Sequence, residues 1–341
     1  MRDEENKNIM NKKKLLWQVP FLTFLIVGSI LIVSKQNDAP YHNDNGFIFG
    51  TTYSITYQCD SNLHNQIKAE LQKVDLSLSM FNKESVISKI NSNQAFETDS
   101  MFAKVFTLAQ EISEQTDGAF DITVAPLVNA WGFGYTASVA PTPEAIDSLK
   151  EVIGYQKVKL VDGTLIKKDP RIQLDCSAIA KGYGSDVVAD LLRSRGVKNF
   201  MVEIGGEIVT SGNSEKRKPW KIGVTKPSED SLSTNNELQT VLNVTDKAMA
   251  TSGNYRNFYY KDGKKYAHTI DPATGYPVQH SLLSATVLAD NCATADAYAT
   301  AFMVMGLEKA KKLLEKHPEL MVYFIYADDN GELKVYQSEN I

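Results

Sequence analysis

The chain predicts an α+β fold built mainly on antiparallel strands. Two turn signals and one absence carry that expectation. Asp162-Gly163 separates the β-prone runs 157–161 and 165–167 and reads as a hairpin turn, and Gly205-Gly206 interrupts the apolar stretch 200–212 and reads as a hairpin or a bulge. Nowhere do strands and helices alternate in the regular βαβ rhythm of a parallel sheet.

Residues 15–33 form an apolar run without a charge, preceded by Lys12, Lys13 and Lys14. At about 1.5 Å per residue the run just spans a hydrocarbon core of about 30 Å. The lysines keep 1–14 in the cytoplasm and send the rest of the chain outside. A single uncleaved transmembrane anchor is therefore expected at 15–33, with 34–45 a polar tether and 46–341 the folded domain. A cleaved signal peptide is the alternative. The length of the run and the absence of a small-x-small site in Ser34-Lys-Gln-Asn-Asp38 count against it.

Within the domain, 47–57 alternates with β-branched and aromatic residues and reads as a strand. Residues 63–75 read as a helix, and 77–90 as a loop leading into a short helix. Helical spacing of Phe102, Val105, Phe106, Leu108, Ala109 and Ile112 predicts a helix over 101–116, stopped by Asp117-Gly118. Residues 119–133 are apolar with Asp121 inside, and 143–153 read as a helix with a proline-marked start. A strand is expected at 172–175, a loop of small residues at 176–184, and a helix at 186–195 closed by Gly196. Strands follow at 220–224, 241–244 and 247–252. The segments 254–260 and 265–270 flank the turn Asp262-Gly263. A strand at 283–289, a helix carrying Asp296, a helix at 307–316 and a strand at 321–326 complete the chain.

The bulk numbers set bounds. A length of 341 residues holds one large domain or two closely packed ones beside the N-terminal segment. The net charge of −5, with no basic stripe beyond short lysine clusters, argues against nucleic acid as a partner. Cys59, Cys176 and Cys292 are widely spaced and include no CxxC pair, so neither a zinc site nor a disulfide framework is indicated.

Four local patterns carry chemistry. In Thr294-Ala-Asp296-Ala-Tyr-Ala-Thr300, Asp296 and Thr300 stand one helical turn apart on one face, with small residues around them. A carboxylate, a hydroxyl and a backbone carbonyl make an all-oxygen set suited to Mg²⁺, although taken alone an Asp in such a helix more often needs only a hydrogen-bond partner. The segment from Asp175 to Gly184 joins a strand to a helix around Lys181, where helix N–H groups and an ammonium favour a phosphate; packing by glycines is the plainer account. His268, at a strand end beside the rigid Asp271-Pro272 and Gly275-Tyr-Pro277 steps, is placed as a proton carrier or as a structural hydrogen-bonder. Asp121, flanked by Phe120, needs partners for its carboxylate, and a loop cap would supply them. Phe120, Trp131, Phe133 and Tyr135 fit a core better than a cofactor stack. Together the four suit a Mg²⁺-dependent enzyme acting on a phosphate anhydride.

From about Phe47 to near the C-terminus the chain resembles the ApbE family of FAD:protein FMN transferases. The landmarks are Phe49-Gly-Thr51, Ala119-Phe-Asp121 with 126–133, Leu174-Asp175 through Lys181-Gly182, Gly205-Gly206-Glu207, Thr251-Ser-Gly253, His268-Thr-Ile-Asp-Pro272 and 294–300. Their order and spacing are specific. The resemblance implies an α+β protein with FAD in a cleft between two subdomains. It implies Mg²⁺ on Asp296, Thr300 and the carbonyls of Ala178 and Ala299. Phe49, Phe81, Ala119, Phe120, Asp121, Asp175, Lys181 and Thr269 fall at positions lining FAD, and His268 matches the proposed catalytic base. Phe49 stands where methionine is common and Phe81 where tyrosine is common, so Phe81 keeps an aromatic wall and loses a hydroxyl. The implied reaction moves the FMN half of FAD onto a threonine or serine hydroxyl of a partner protein and releases AMP. The implied acceptors are membrane or extracytoplasmic redox subunits, and the implied place is the inner membrane with the catalytic domain on the periplasmic side. Water as nucleophile would instead give an FAD pyrophosphatase, and a flavin-binding protein without turnover is the third reading.

Overall fold

The computed structural model describes residues 2–35, 39–94, 97–134, 140–228, 237–255, 258–261, 264–339 and 341. Its helices are α1 (Arg2–Lys35), α2 (His64–Leu78), α3 (Val86–Asn91), α4 (Ser100–Gln115), α5 (Ala125–Ala130), α6 (Pro143–Lys150), α7 (Ser177–Ser194), α8 (Cys292–Met305) and α9 (Leu307–Leu314). Its strands are β1 (Tyr41–Ile48), β2 (Thr51–Gln58), β3 (Val158–Val161), β4 (Thr164–Lys167), β5 (Phe200–Ile204), β6 (Glu207–Ser211), β7 (Trp220–Thr225), β8 (Leu238–Val244), β9 (Ala248–Gly253), β10 (Phe258–Lys261), β11 (Lys264–Ala267), β12 (Leu282–Ala289), β13 (Met321–Ala327) and β14 (Leu333–Gln337). The expected α+β architecture is present. An eight-stranded sheet runs β1-β2-β5-β6-β9-β12-β13-β14, and its pairs from β2–β5 to β13–β14 are antiparallel. The hairpins β3–β4, β7–β8 and β10–β11 stand apart as two-stranded sheets.

Contacts divide the chain into Met1–His42 with Gln58–Asn62, and Asn43–Tyr57 with Leu63–Ile341. In the smaller unit α1 is continuous through Pro20, and Trp17, Phe21, Phe24 and Ile30 are exposed. Among the described residues no helix is long and apolar enough to cross a membrane. The side chains of the basic flank and of Leu15 and Leu16, where the expected span begins, lie outside the described residues.

In the larger unit α8 is almost wholly buried, with Ala295, Ala297, Ala299 and Ala301 fully enclosed. It packs against β9 and β12 on one side and α4 and α7 on the other. Small side chains on α8 let α7 come close, and Gly182 is the point of contact: a Cβ there would lie 2.4 Å from the Cys292 carbonyl oxygen. The N-terminus of α8 is tied down by side chains. Asn291 accepts from the Thr294 N–H at 2.8 Å, and the two Asp186 oxygens accept from the N–H groups of Cys292 and Ala293 at 2.7 and 2.8 Å. These bonds satisfy donors that a helix start leaves open.

Several expectations need correction. The single strand at 47–57 is two strands, because Phe49 and Gly50 both take positive φ (51° and 75°) and reverse the chain. Residues 41–45, expected in the tether, belong to β1. A phenylalanine at such a φ is no sequence signal for a turn. The small-residue loop at 176–184 is helical, since α7 starts at Ser177; its glycines serve close packing and not a turn. No strand forms at 172–175. There the Leu174 N–H and carbonyl bond the Asn91 side chain at 2.8 and 2.9 Å, and the Asp175 N–H bonds the Ile122 carbonyl. The terminal strand β14 had no expected counterpart. Tyr135 and the turn Asp262-Gly263 lie outside the described residues.

Candidate active site

A cavity of about 730 Å³ opens in the larger unit. It is bordered by the first turns of α7, the β5–β6 turn, β7, the end of β9, the α8 face carrying Asp296 and Thr300, and the segment 268–272. Such a volume is ample for a dinucleotide-sized ligand.

One wall is electrostatic. Lys181 Nζ lies 2.5 Å from Glu207 Oε1. Glu207 is 3% and Asp296 3% exposed, and Glu207 Oε2 is buried without a hydrogen bond among the described residues. Burial raises Glu207 to about 8, with the neighbouring Asp296 adding to the effect against the pull of Lys181. Burial likewise raises Asp296, opposed by Lys181 and by the Gly182 N–H. Burial pulls Lys181 down, yet Glu207 and Asp296 outweigh it and hold the ammonium above its ordinary range. Two carboxyl groups face one ammonium here.

The same wall fits a hard cation. Asp296 Oδ2 accepts from the Gly182 N–H at 3.1 Å. In an α-helix that N–H faces the carbonyl four residues back, so the Asp296 carboxylate and the Ala178 carbonyl converge. Thr300 follows one turn along, its Oγ1 3.2 Å from Ser252 Oγ. Ala178, Asp296 and Thr300 border the cavity. Ala299 is fully buried and is not part of its lining, so only its backbone carbonyl is of use to an ion. Among the described residues no cluster of three His, Cys, Asp or Glu suits a metal. A carbonyl, hydroxyl and single-carboxylate set suits Mg²⁺, which fills its shell with waters and substrate phosphates.

A second wall is held by turns and rings. His268 borders the cavity, half-buried, with the Phe133 ring edge-on at 6.4 Å between centroids. Thr269 Oγ1 donates to Asn254 Oδ1 at 2.6 Å. The following turn closes through Asp271 N–H to the Tyr276 carbonyl and Gly275 N–H to the Asp271 carbonyl. Trp131, 2% exposed, donates its indole N–H to the Gly275 carbonyl at 2.8 Å and stacks on Tyr266 at 5.3 Å. Trp131 thus acts from the core on the turn beside His268.

The remaining candidates divide. Phe81, Ala119, Phe120, Asp121, Asp175, Lys181 and Thr269 border the cavity. Asp121 is largely committed to the protein: Oδ1 accepts from the Thr123 N–H and hydroxyl at 2.8 and 2.7 Å, and Oδ2 from the Tyr155 N–H at 2.8 Å. It is the loop cap that its apolar setting called for. Asp175 Oδ1 accepts from the Ser177 N–H at 2.7 Å, ahead of α7. Phe49 is not in the cavity lining; it packs onto the main core over Gly184, where a Cβ would lie 2.7 Å from its ring. Glu207, Ser252 and Asn254 went unassigned as site residues. The first two stand in the Gly-Gly-Glu and Thr-Ser-Gly runs already noted, and Asn254 directly follows the second.

The ApbE family model matches residues 49–324. The chain belongs to the ApbE family. A Vibrio cholerae protein named FAD:protein FMN transferase is 38% identical over 326 residues, covering 92% of this chain and 96% of its own length. A Haemophilus influenzae protein of the same name is 39% identical over 323 residues, covering 90% and 92%. The solved structure of the flavin transferase ApbE from Vibrio cholerae superposes with a TM-score of 0.80 at 38% identity, covering 88% of this chain and 98% of that one. The family match begins at Phe49, within the β1–β2 turn, and ends in β13, so it includes every residue of both cavity walls.

Proposed function

We propose that this ApbE-family chain transfers the FMN moiety of FAD to a protein, on a threonine or serine hydroxyl, with release of AMP. The observation that carries the reading is the single cavity bordered by Lys181, Asp296, Thr300 and His268. It supplies charge for a diphosphate and a base for a hydroxyl. Asp296, Thr300 and the carbonyls of Ala178 and Ala299 would hold Mg²⁺, which when bound neutralises charge on the diphosphate. Lys181 binds the same anion, and Glu207 fixes the ammonium. His268 takes the acceptor hydroxyl proton as the oxygen bonds to the FMN-side phosphorus. The bridging P–O bond breaks, and AMP leaves with the electron pair. The Asn254–Thr269 bond and the Trp131-held turn fix the His268 segment, so that the proton moves without rearrangement.

The anchor belongs to this reading. The continuous α1 and its exposed apolar side chains from Trp17 onward, with Lys12–Lys14 ahead of them, support an inner-membrane attachment that puts the catalytic domain on the periplasmic side, near membrane redox acceptors. Incubation with FAD, Mg²⁺ and candidate acceptors tests the function. The expected outcome is an acceptor heavier by one FMN less a water, with one AMP per flavin attached. AMP and free FMN in equal amounts, with an unmodified acceptor, would mean hydrolysis and end the transferase reading.

A further inference from the structure

A transferase that modifies a protein has a second substrate to hold, and β7 offers the means. Lys221, Ile222, Gly223, Val224 and Thr225 all border the cavity. Successive side chains of a strand point to opposite faces, so a strand whose consecutive residues all border one cavity presents its edge there. Ile222 and Val224 turn inward, packing with Ile208 and Met249 and with Tyr323 and Ile325 respectively, while Lys221 and Gly223 are exposed. One edge of β7 is paired with β8. The Lys226 N–H bonds the Glu237 carbonyl across that hairpin, and bonded positions alternate along an antiparallel strand. The register shift places the additional residue, Gln239, on β8, so the alternation along β7 is kept. Val224 and Ile222 therefore face β8, and the N–H and C=O groups of Gly223 and Lys221 face the other edge. Among the described residues neither has a backbone hydrogen bond on that side.

We propose that this edge of β7 docks an extended segment of the acceptor polypeptide as an added strand, bringing its hydroxyl-bearing residue to the cavity. The inference rests on the transferase reading, which requires a polypeptide at this cavity. An exposed row of N–H and C=O groups is what an extended chain pairs with, and it accepts different side chains on the incoming strand.

The test is a backbone scan of a threonine peptide cut from an acceptor that the full chain flavinylates. Single N-methylations are placed along the peptide, and transfer is followed at saturating FAD. Strand addition predicts a period of two: the acceptor KM rises at least tenfold at alternate positions and stays within twofold at those between. A flat profile overturns the proposal, as does transfer to the folded acceptor but to none of its extended peptides. Lys221→Pro removes the outward N–H from the enzyme side; its acceptor KM should rise at least tenfold, while an unchanged KM counts against the edge. A wild-type dimer that Lys221→Pro turns into a monomer would assign the edge to a second copy and overturn the proposal. A wild-type chain that modifies no acceptor of any kind ends the transferase reading itself, a different failure from a flat scan.

Discussion

The two walls of the cavity are built by opposite means. The α7–α8 wall holds charge: Glu207 and Asp296 are buried beside a partly exposed Lys181, and their energies depend on protonation and on any cation beside them. The His268 wall holds shape: a turn closed by backbone bonds, clamped by the Trp131 indole and a ladder of stacked rings. The contrast teaches that one wall should answer to Mg²⁺ and pH, and the other to the geometry of a single turn. Substitutions on either side separate the two.

The largest effect should come from Asp296→Ala, which removes the only carboxylate among the proposed ion ligands. A loss of several kcal/mol of charge stabilisation corresponds to a fall in transfer of about 10³-fold or more. Normal Mg²⁺-dependent turnover in this variant would dissolve the distinction between the walls. His268→Asn should lower single-turnover AMP release by about 10²–10⁴-fold with FAD affinity retained. If binding and turnover per bound FAD showed the reverse pattern, His268 would be structural and Asp271 the better base. Trp131→Phe keeps the stacking and leaves the Gly275 carbonyl without its donor, which should cost about 1–3 kcal/mol in urea unfolding. It should also lower kcat at unchanged Mg²⁺ affinity. Thr300→Val should weaken transfer less than Asp296→Ala does, and high Mg²⁺ should restore part of it; a loss indifferent to Mg²⁺ would remove Thr300 from the ion site.

The smallest effect is a slope. Glu207 is raised from 4.5 to about 8 by burial. A carboxyl raised in the folded state contributes stability that is complete below its unfolded value and is lost as pH rises through the folded one. Without Mg²⁺, the wild-type Tm should therefore fall relative to Glu207→Gln between about pH 4.5 and about pH 8. A constant difference across that window would show that Lys181 holds Glu207 ionised throughout.

The sequence by itself determined the elements with strong local signals and the kind of chemistry. The helix at 100–115 is legible because its apolar residues repeat at helical spacing. Asp296 and Thr300 share a face because α-helical geometry leaves no choice at that separation. The order of the family landmarks carries the ApbE assignment. What depends on distant approach was decided only in three dimensions. Asp121 read as a loop cap, but its partners, the Thr123 and Tyr155 backbones, are fixed only by the fold, since the second lies far along the chain. Phe49 left the cavity because a positive φ at the β1–β2 turn sends its ring over Gly184. The glycines of 176–184 read locally as a loop, yet they lie in α7, where Gly182 leaves room for α8 and Gly184 for the Phe49 ring. Lys181, Glu207 and Asp296 come from α7, β6 and α8, and no periodicity links them. The burial of Glu207 and Asp296 beside the partly exposed Lys181, and the shifted protonation that follows from it, exist only once the sheet and two helices have closed around them.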